Sequence, residues 1–290
     1  MCRGDQQSPY RAQRNRPGSP IGEAARCADW LALSTSSRCA GVARYDAAMS
    51  NNLEPREITI ASSDGVTLEA QYISPSVADA PLGAAPSGDA STNRDALART
   101  AVLLCHPHPL QGGNMKSLVT SELFRLLPPQ GVSCLRFNFR GVGKSTGEHD
   151  FGRGESSDVT HAFARLVEMT PHAVVRIVVG WSFGGDVSLS TPLNAVDGHR
   201  GSDGWIAIAP PLRFGTEPAV AARSGKPVLI ILAEHDQVRP AQEVAEDVTN
   251  WPNTTVEVVG GADHFFAGRT KEVAGLVTAR LISLADIATS

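Results

Sequence analysis

Apolar and polar positions follow two rhythms along this 290-residue chain. From Arg56 to Ala61 and from Val66 to Ser74 the residues alternate, as two paired strands do, with Ser63-Asp64-Gly65 as the turn between them. From Thr100 onward the rhythm changes to short, fully apolar runs at Thr100–Cys105, Val132–Phe137, Val175–Val179, Trp205–Ala209, Val228–Leu232 and Thr255–Val259. Runs of this length and β-branched content predict strands buried on both faces. Helical patterns separate them: Met115–Leu127, closed by Pro128-Pro129, then Arg153–Met169, Pro240–Asn250 and Phe266–Ala288. Strand and helix therefore alternate, which predicts an α/β fold. Its mostly parallel sheet would have about eight strands, helices on both faces and ligands beyond the C-terminal strand ends.

Two segments carry neither rhythm. Residues 1–50 are rich in Arg, Ser, Gly, Pro and Ala, with seven Lys/Arg against four Asp/Glu, and hold too little apolar area to offset chain entropy. They are expected to be a disordered leader. Trp30-Leu31-Ala32-Leu33 is too short and too late for a secretory signal, and Met49 is a candidate start for the native protein. Residues 51–290 then form a single domain. Within it, Pro75 to Arg99, dominated by Ala, Pro, Gly, Ser and Asp, is expected to be a flexible surface loop.

Composition narrows the function classes. With 42% hydrophobic and 19% charged residues the chain can bury one large core. A net charge of -4 argues against nucleic acid as a partner. No run of about 18 apolar residues occurs, so no membrane-spanning helix is predicted. The five cysteines are odd in number and scattered, with Cys105 and Cys134 in expected core strands. They read as reduced thiols in a cytoplasmic protein, and a homo-oligomer is compatible with the sequence.

The chemistry concentrates at Val175 to Gly185, where a β-branched run flows into Gly180-Trp181-Ser182-Phe183-Gly184. Strand, sharp turn and helix start are the parts of a nucleophile elbow, which would stand Ser182 Oγ exposed at the strand end. A serine nucleophile needs a base and a carboxylate to orient it, in the chain order serine, acid, histidine. Asp236, after the Val228–Leu232 strand, and His264, after Thr255–Val259, occupy those places, with Glu234 as the alternative acid. Asp263 adjoins the histidine too closely to reach back to it and is expected to cap its loop. The oxyanion would meet the backbone N–H of Phe183 and a second donor after Cys105. Pro107 and Pro109 have no N–H, which leaves His108, with Leu110 as the alternative. His106 is expected to be a structural hydrogen-bond donor, and His149, His161, His172, His199 and His235 to lie on polar loops or helix faces. A zinc set of His106, His108 and Asp236 lacks ligand spacing, so no metal is expected. Gly143-Lys144-Ser145 resembles the end of a phosphate loop, but Asn138 stands where that loop needs glycine. It is expected to be a tight turn.

Four motifs in this order resemble the α/β-hydrolase superfamily. They are His106-Pro107-His108-Pro109-Leu110-Gln111-Gly112-Gly113-Asn114-Met115, Phe137 to Ser145, Gly180 to Gly185 and Gly261-Ala262-Asp263-His264-Phe265-Phe266. The chain is most similar to an uncharacterised bacterial branch near dienelactone hydrolases and serine aminopeptidase-like proteins. The likeness runs from about Arg56 to the C-terminus and implies the triad Ser182, Asp236 and His264, no cofactor, and hydrolysis of an unassigned substrate. Fewer than twenty residues separate Ala209 from Val228, too few for a large helical cap. The expectation is therefore an open-site esterase for small or short-acyl substrates, with little interfacial lipase behaviour. A peptidase or amidase with the same machinery, and a silent binding protein on the same fold, are the competing readings.

Overall fold

The computed structural model describes residues 53–75, 90–193, 201–215, 217 and 220–289. The expected leader, and residues 76–89 of the expected loop, lie outside the described residues. The strands are β1 (Arg56–Ala61), β2 (Thr67–Ile73), β3 (Thr100–Cys105), β4 (Ser133–Phe137), β5 (Val175–Trp181), β6 (Gly204–Ile208), β7 (Val228–Ala233) and β8 (Thr254–Val259). They form one eight-stranded sheet in the order β1-β2-β4-β3-β5-β6-β7-β8. β1 and β2 pair antiparallel, as do β2 and β4, and every other pair is parallel. This is the expected α/β fold with a mostly parallel sheet.

The helices are α1 (Ala90–Ala98), α2 (Leu118–Leu126), α3 (Arg153–Met169), α4 (Phe183–Ser190), α5 (Val220–Arg223), α6 (Ala241–Val248) and α7 (Thr270–Thr289). Period-two alternation within each buried strand explains why they cover both faces. Val102 and Leu104 of β3 face one core with Leu123 and Phe124 of α2 and Val273, Val277 and Leu281 of α7. Ala101, Leu103 and Cys105 face the other, with Val159, Ala162 and Leu166 of α3, Val187 of α4 and Val244 of α6. Cys105 and Cys134 are buried free thiols, and loss of solvent pushes both thiols up.

The expected loop from Pro75 to Arg99 needs correction, because its last third is helix α1. Leu97 enters the core beside Leu127 and Val132, and Ala96 packs against it. One buried leucine in an Ala-rich, Asp-rich segment is a weak periodic signal, so tertiary packing decides the conformation here. The Gly143-Lys144-Ser145 segment is a turn, pinned to β2. Ser145 Oγ donates to the Asn138 carbonyl and accepts from the Glu69 N–H, and Glu69 Oε2 accepts from the Lys144 N–H.

Two buried polar contacts fix the end of β4, beyond which part of the site is built. Asp158 of α3, fully buried, accepts from the Arg140 backbone N–H at 2.9 Å and from its guanidinium at 2.8 Å. Arg140 also reaches Asp64 in the β1–β2 turn at 2.7 Å, tying three elements together. His106, at the end of β3, is fully buried. Its Nδ1–H donates to the Pro107 carbonyl at 2.6 Å, and its Nε2 accepts from the Phe139 N–H at 3.0 Å. That pattern needs a neutral imidazole, and desolvation pushes its pKa down to about 3.

Two outcomes follow. Asp158→Ala leaves the Arg140 guanidinium buried beside only a peripheral partner, and urea denaturation should report a loss of about 3–5 kcal/mol. His106 titrates at about 3 folded and near 6.5 unfolded, so between those values the unfolded chain binds more protons. Its stabilisation is therefore present above pH 6.5 and is lost as the pH falls toward 3, with a slope of about 1.4 kcal/mol per pH unit. Denaturation of wild type and His106→Gln from pH 8 to 5 should show the gap between them narrowing below pH 6.5, about 1.4 kcal/mol per unit.

Candidate active site

The turn after β5 is sterically exacting. Ser182 adopts φ 54° and ψ −120°, a conformation costly for a residue with a side chain. A methyl group on Gly180 would strike the Gly184 carbonyl, and one on Gly184 would strike the carbonyls of Cys105 and His106. Glycine is therefore required at both positions. The Ser182 N–H donates to the Ile208 carbonyl of β6 at 2.8 Å, which holds the turn down while Oγ projects past the sheet.

The three residues drawn from separate strand ends meet there. Ser182 Oγ lies 2.9 Å from His264 Nε2, and His264 Nδ1 lies 2.8 Å from Asp236 Oδ2. All three side chains are largely buried. Asp236 Oδ1 accepts from the N–H groups of Val238 and Arg239, so the carboxylate is fixed on both sides. Several contacts hold the histidine loop, among them the His235 N–H donating to the Ala262 carbonyl at 2.8 Å. Trp181 Nε1–H donates to the His264 carbonyl at 3.2 Å, the His264 N–H donates to Gln237, and Glu234 accepts from the Gly261 N–H at 2.7 Å. Glu234, the alternative acid, is thus a fastener between two loops. Asp263 accepts from the N–H groups of Phe265 and Ala267, the capping role expected of it.

On the other side of Ser182, Phe183 opens α4, so its N–H is one of the helix's first, unpaired donors. The His108 ring lies 5.0 Å from the Phe183 ring. His108 Nδ1 accepts from the Leu110 N–H at 3.2 Å, which occupies the alternative oxyanion donor and leaves His108 in place. Burial, and then the neighbouring His149, lower the His108 pKa.

Sequence reasoning missed two parts of this surround. Asp186 in the first turn of α4 is fully buried and accepts from the N–H groups of Leu212, Arg213 and Phe214, each at 2.8–2.9 Å. Burial pushes its pKa up to about 6 against those three donors. The clamped loop seats Phe214 on His108 at 4.8 Å and on Phe183 at 5.3 Å. His149 was expected on a polar loop. Instead its side chain is 6% exposed, packed against His108 and Phe183 and beside the fully buried Glu155. No local pattern marked it: Phe151 stands two residues after His149 with Asp150 between them, whereas Phe265 directly follows His264. Among the described residues no group of three His, Cys, Asp or Glu side chains is arranged to hold a metal ion, and no helix is long and apolar enough to cross a membrane.

No family model matches the chain. The uncharacterized protein RP471 of Rickettsia prowazekii (strain Madrid E) is 30% identical over 190 residues, which cover 63% of this chain and 78% of that protein. An alpha-beta serine hydrolase homologue from Coxiella burnetii superposes with a TM-score of 0.61 at 28% identity, over 81% of this chain and 100% of that one. XC6422 from Xanthomonas campestris, described as a serine hydrolase without lid, shares the fold at a TM-score of 0.58 and 24% identity, over 79% of this chain and 94% of that one. The sheet order, the strained serine turn and these likenesses converge: the chain belongs to the family of the Rickettsia protein, within the α/β-hydrolase superfamily.

Proposed function

We propose that this protein is a serine hydrolase that cleaves carboxylic esters of small or short-acyl substrates through an acyl-enzyme. The observation that carries the reading is the line Asp236–His264–Ser182, with contacts of 2.8 and 2.9 Å ending on a serine at φ 54°. Asp236 fixes the His264 proton on Nδ1, which leaves Nε2 free to take the Ser182 proton as Oγ attacks the ester carbonyl. The oxyanion then forms beside the backbone N–H groups of Phe183 and His108, at the N-terminus of α4. His264 returns the proton to the departing alcohol. Water, deprotonated by the same imidazole, releases the acid and regenerates Ser182.

The preference for small substrates rests on what stands over the site. The described residues between β6 and β7 comprise a clamped loop and the single turn of α5, with no large helical cap. The lidless description of XC6422 points the same way.

Ser182→Ala should abolish labelling of the purified protein by a fluorophosphonate. Asp236→Asn should lower kcat by about 10⁴-fold, whereas Glu234→Gln should cost only a few-fold. Steady-state kinetics on p-nitrophenyl acetate measures both, and equal losses at the two positions would contradict the assignment of the acid. Across p-nitrophenyl esters from acetate to palmitate, kcat/KM should fall as the chain lengthens. A preference for palmitate would overturn the open-site reading.

A further inference from the structure

The loop after β4 and the first turn of α3 carry a second carboxylate–imidazole pair, His149 and Glu155, with the imidazole packed against Phe183, the residue after Ser182. Glu155, at the third position of α3, is fully buried and already accepts from the N–H groups of Asp150 and Gly152 at 2.9 and 2.8 Å. His149 Nδ1 lies 2.7 Å from the same carboxylate, but off the line of the ring N–H. Both ring nitrogens are buried and neither has an aligned hydrogen-bond partner among the described residues. Native proteins leave few polar side-chain atoms in that condition, because each costs the desolvation of the group without a return.

The surroundings show which hydrogen bond is missing. A bare lone pair would be repelled by a carboxylate oxygen at 2.7 Å, so Nδ1 carries a proton. Nε2 is then the ring nitrogen left to meet a hydroxyl, as His264 Nε2 meets Ser182 Oγ. The His149 ring packs against His108 at 5.1 Å and Phe183 at 5.4 Å, the two residues whose N–H groups flank the reacting carbonyl. Phe151 also packs on it, with its ring 5.0 Å away. Phe151 is 64% exposed and sits at φ 51°, an unfavourable conformation for an aromatic residue. A side chain so exposed can swing aside into solvent without breaking core contacts.

We infer that His149 Nε2, on a ring held against Glu155 and packed by Phe151, makes a hydrogen bond with a hydroxyl group on the substrate, making hydroxylated esters the preferred class. The inference rests on the serine-hydrolase reading and adds the recognition element to it.

Two matched pairs test the idea and separate the acyl side from the alcohol side: p-nitrophenyl butyrate against p-nitrophenyl β-hydroxybutyrate, and ethyl butyrate against glycerol monobutyrate. In one pair the wild-type protein should favour the hydroxylated ester by about ten-fold or more in kcat/KM. His149→Phe should bring that ratio close to one. Equal kcat/KM within both pairs, or a preference that survives His149→Phe, overturns the inference. Should His149→Phe not fold, Phe151→Ala serves as the second variant. Diethyl pyrocarbonate, read by peptide mass, should then modify His149 faster than in wild type, with glycerol monobutyrate or β-hydroxybutyrate slowing the modification. A His149 that stays unmodified in Phe151→Ala, or gains no protection, counts against the site. Fluorophosphonate labelling of Ser182 in each protein separates the two levels. Labelling without hydroxyl discrimination sinks this inference alone, and absence of labelling sinks the parent reading with it.

Discussion

Backbone meets backbone closely in the site where the first turn of α4 crosses the end of β3. Cys105 and Gly180 pair directly across the parallel β3–β5 ladder, and Gly184 lies over the carbonyls of Cys105 and His106 with no room for a side chain. The serine turn and the loop that begins at His106 are therefore held at one fixed separation by backbone contact. Positions that flexible side chains would set to within an ångström or more are here set by atoms that cannot move apart or together. That matters because a displacement of about 1 Å at a reacting centre can cost about 10²-fold in rate.

Around that crossing, buried polar groups fasten one strand-end loop to the next. His106 joins the ends of β3 and β4, Asp186 joins α4 to the loop after β6, and Arg213 and Arg239 join that loop to the acid loop through the carbonyls of Val238 and Pro211. Glu234 and Trp181 complete the ring at the histidine loop. Loops that carry chemistry are ordinarily the mobile part of a fold. Here each is tied to its neighbours, and the two fully buried ties depend on a protonation state. A neutral His106 can accept from Phe139, and an ionised Asp186 can accept from three N–H groups at once. The two respond oppositely to acid. The lowered pKa of His106 makes acid destabilising, whereas the raised pKa of Asp186 means that its ionised form is the strained one and that protonation near 6 relieves its burial.

The fold was legible because a two-sided parallel sheet writes itself into the chain as continuous apolar runs separated by helical periods. The positions of Ser182, Asp236 and His264 were legible for a related reason: the elbow names its strand, and the partners then occupy the next available strand ends. Helix α1 was not, because a single leucine supplies its core contact. Asp186 was not, because an aspartate in the first turn of a helix looks like an ordinary dipole partner and only the fold brings Leu212 to Phe214 against it. His149 was hidden by the opposite effect. Its neighbours Glu148 and Asp150 are polar, and its burial comes from α3 and the aromatic rings of a different loop, which no local pattern records.

The two carboxylate–imidazole pairs show why residue type alone does not assign a role. His264 has its Nδ1 aligned on Asp236 and its Nε2 aligned on Ser182 Oγ, so a proton can travel from hydroxyl to ring while the carboxylate stabilises the charge that develops. His149 has neither alignment. Its contact with Glu155 is short but off-axis, and its Nε2 meets no hydroxyl among the described residues. The carboxylates differ too: Asp236 takes both of its backbone N–H groups on Oδ1 and keeps Oδ2 for His264, whereas Glu155 Oε1, the oxygen nearest His149, already accepts from the Asp150 N–H, and Oε2 accepts from the Gly152 N–H. A pair of that kind is poorly built for proton transfer. It holds a polar ring nitrogen at a fixed point beside Phe183 and His108, which is the geometry from which a recognition role is inferred.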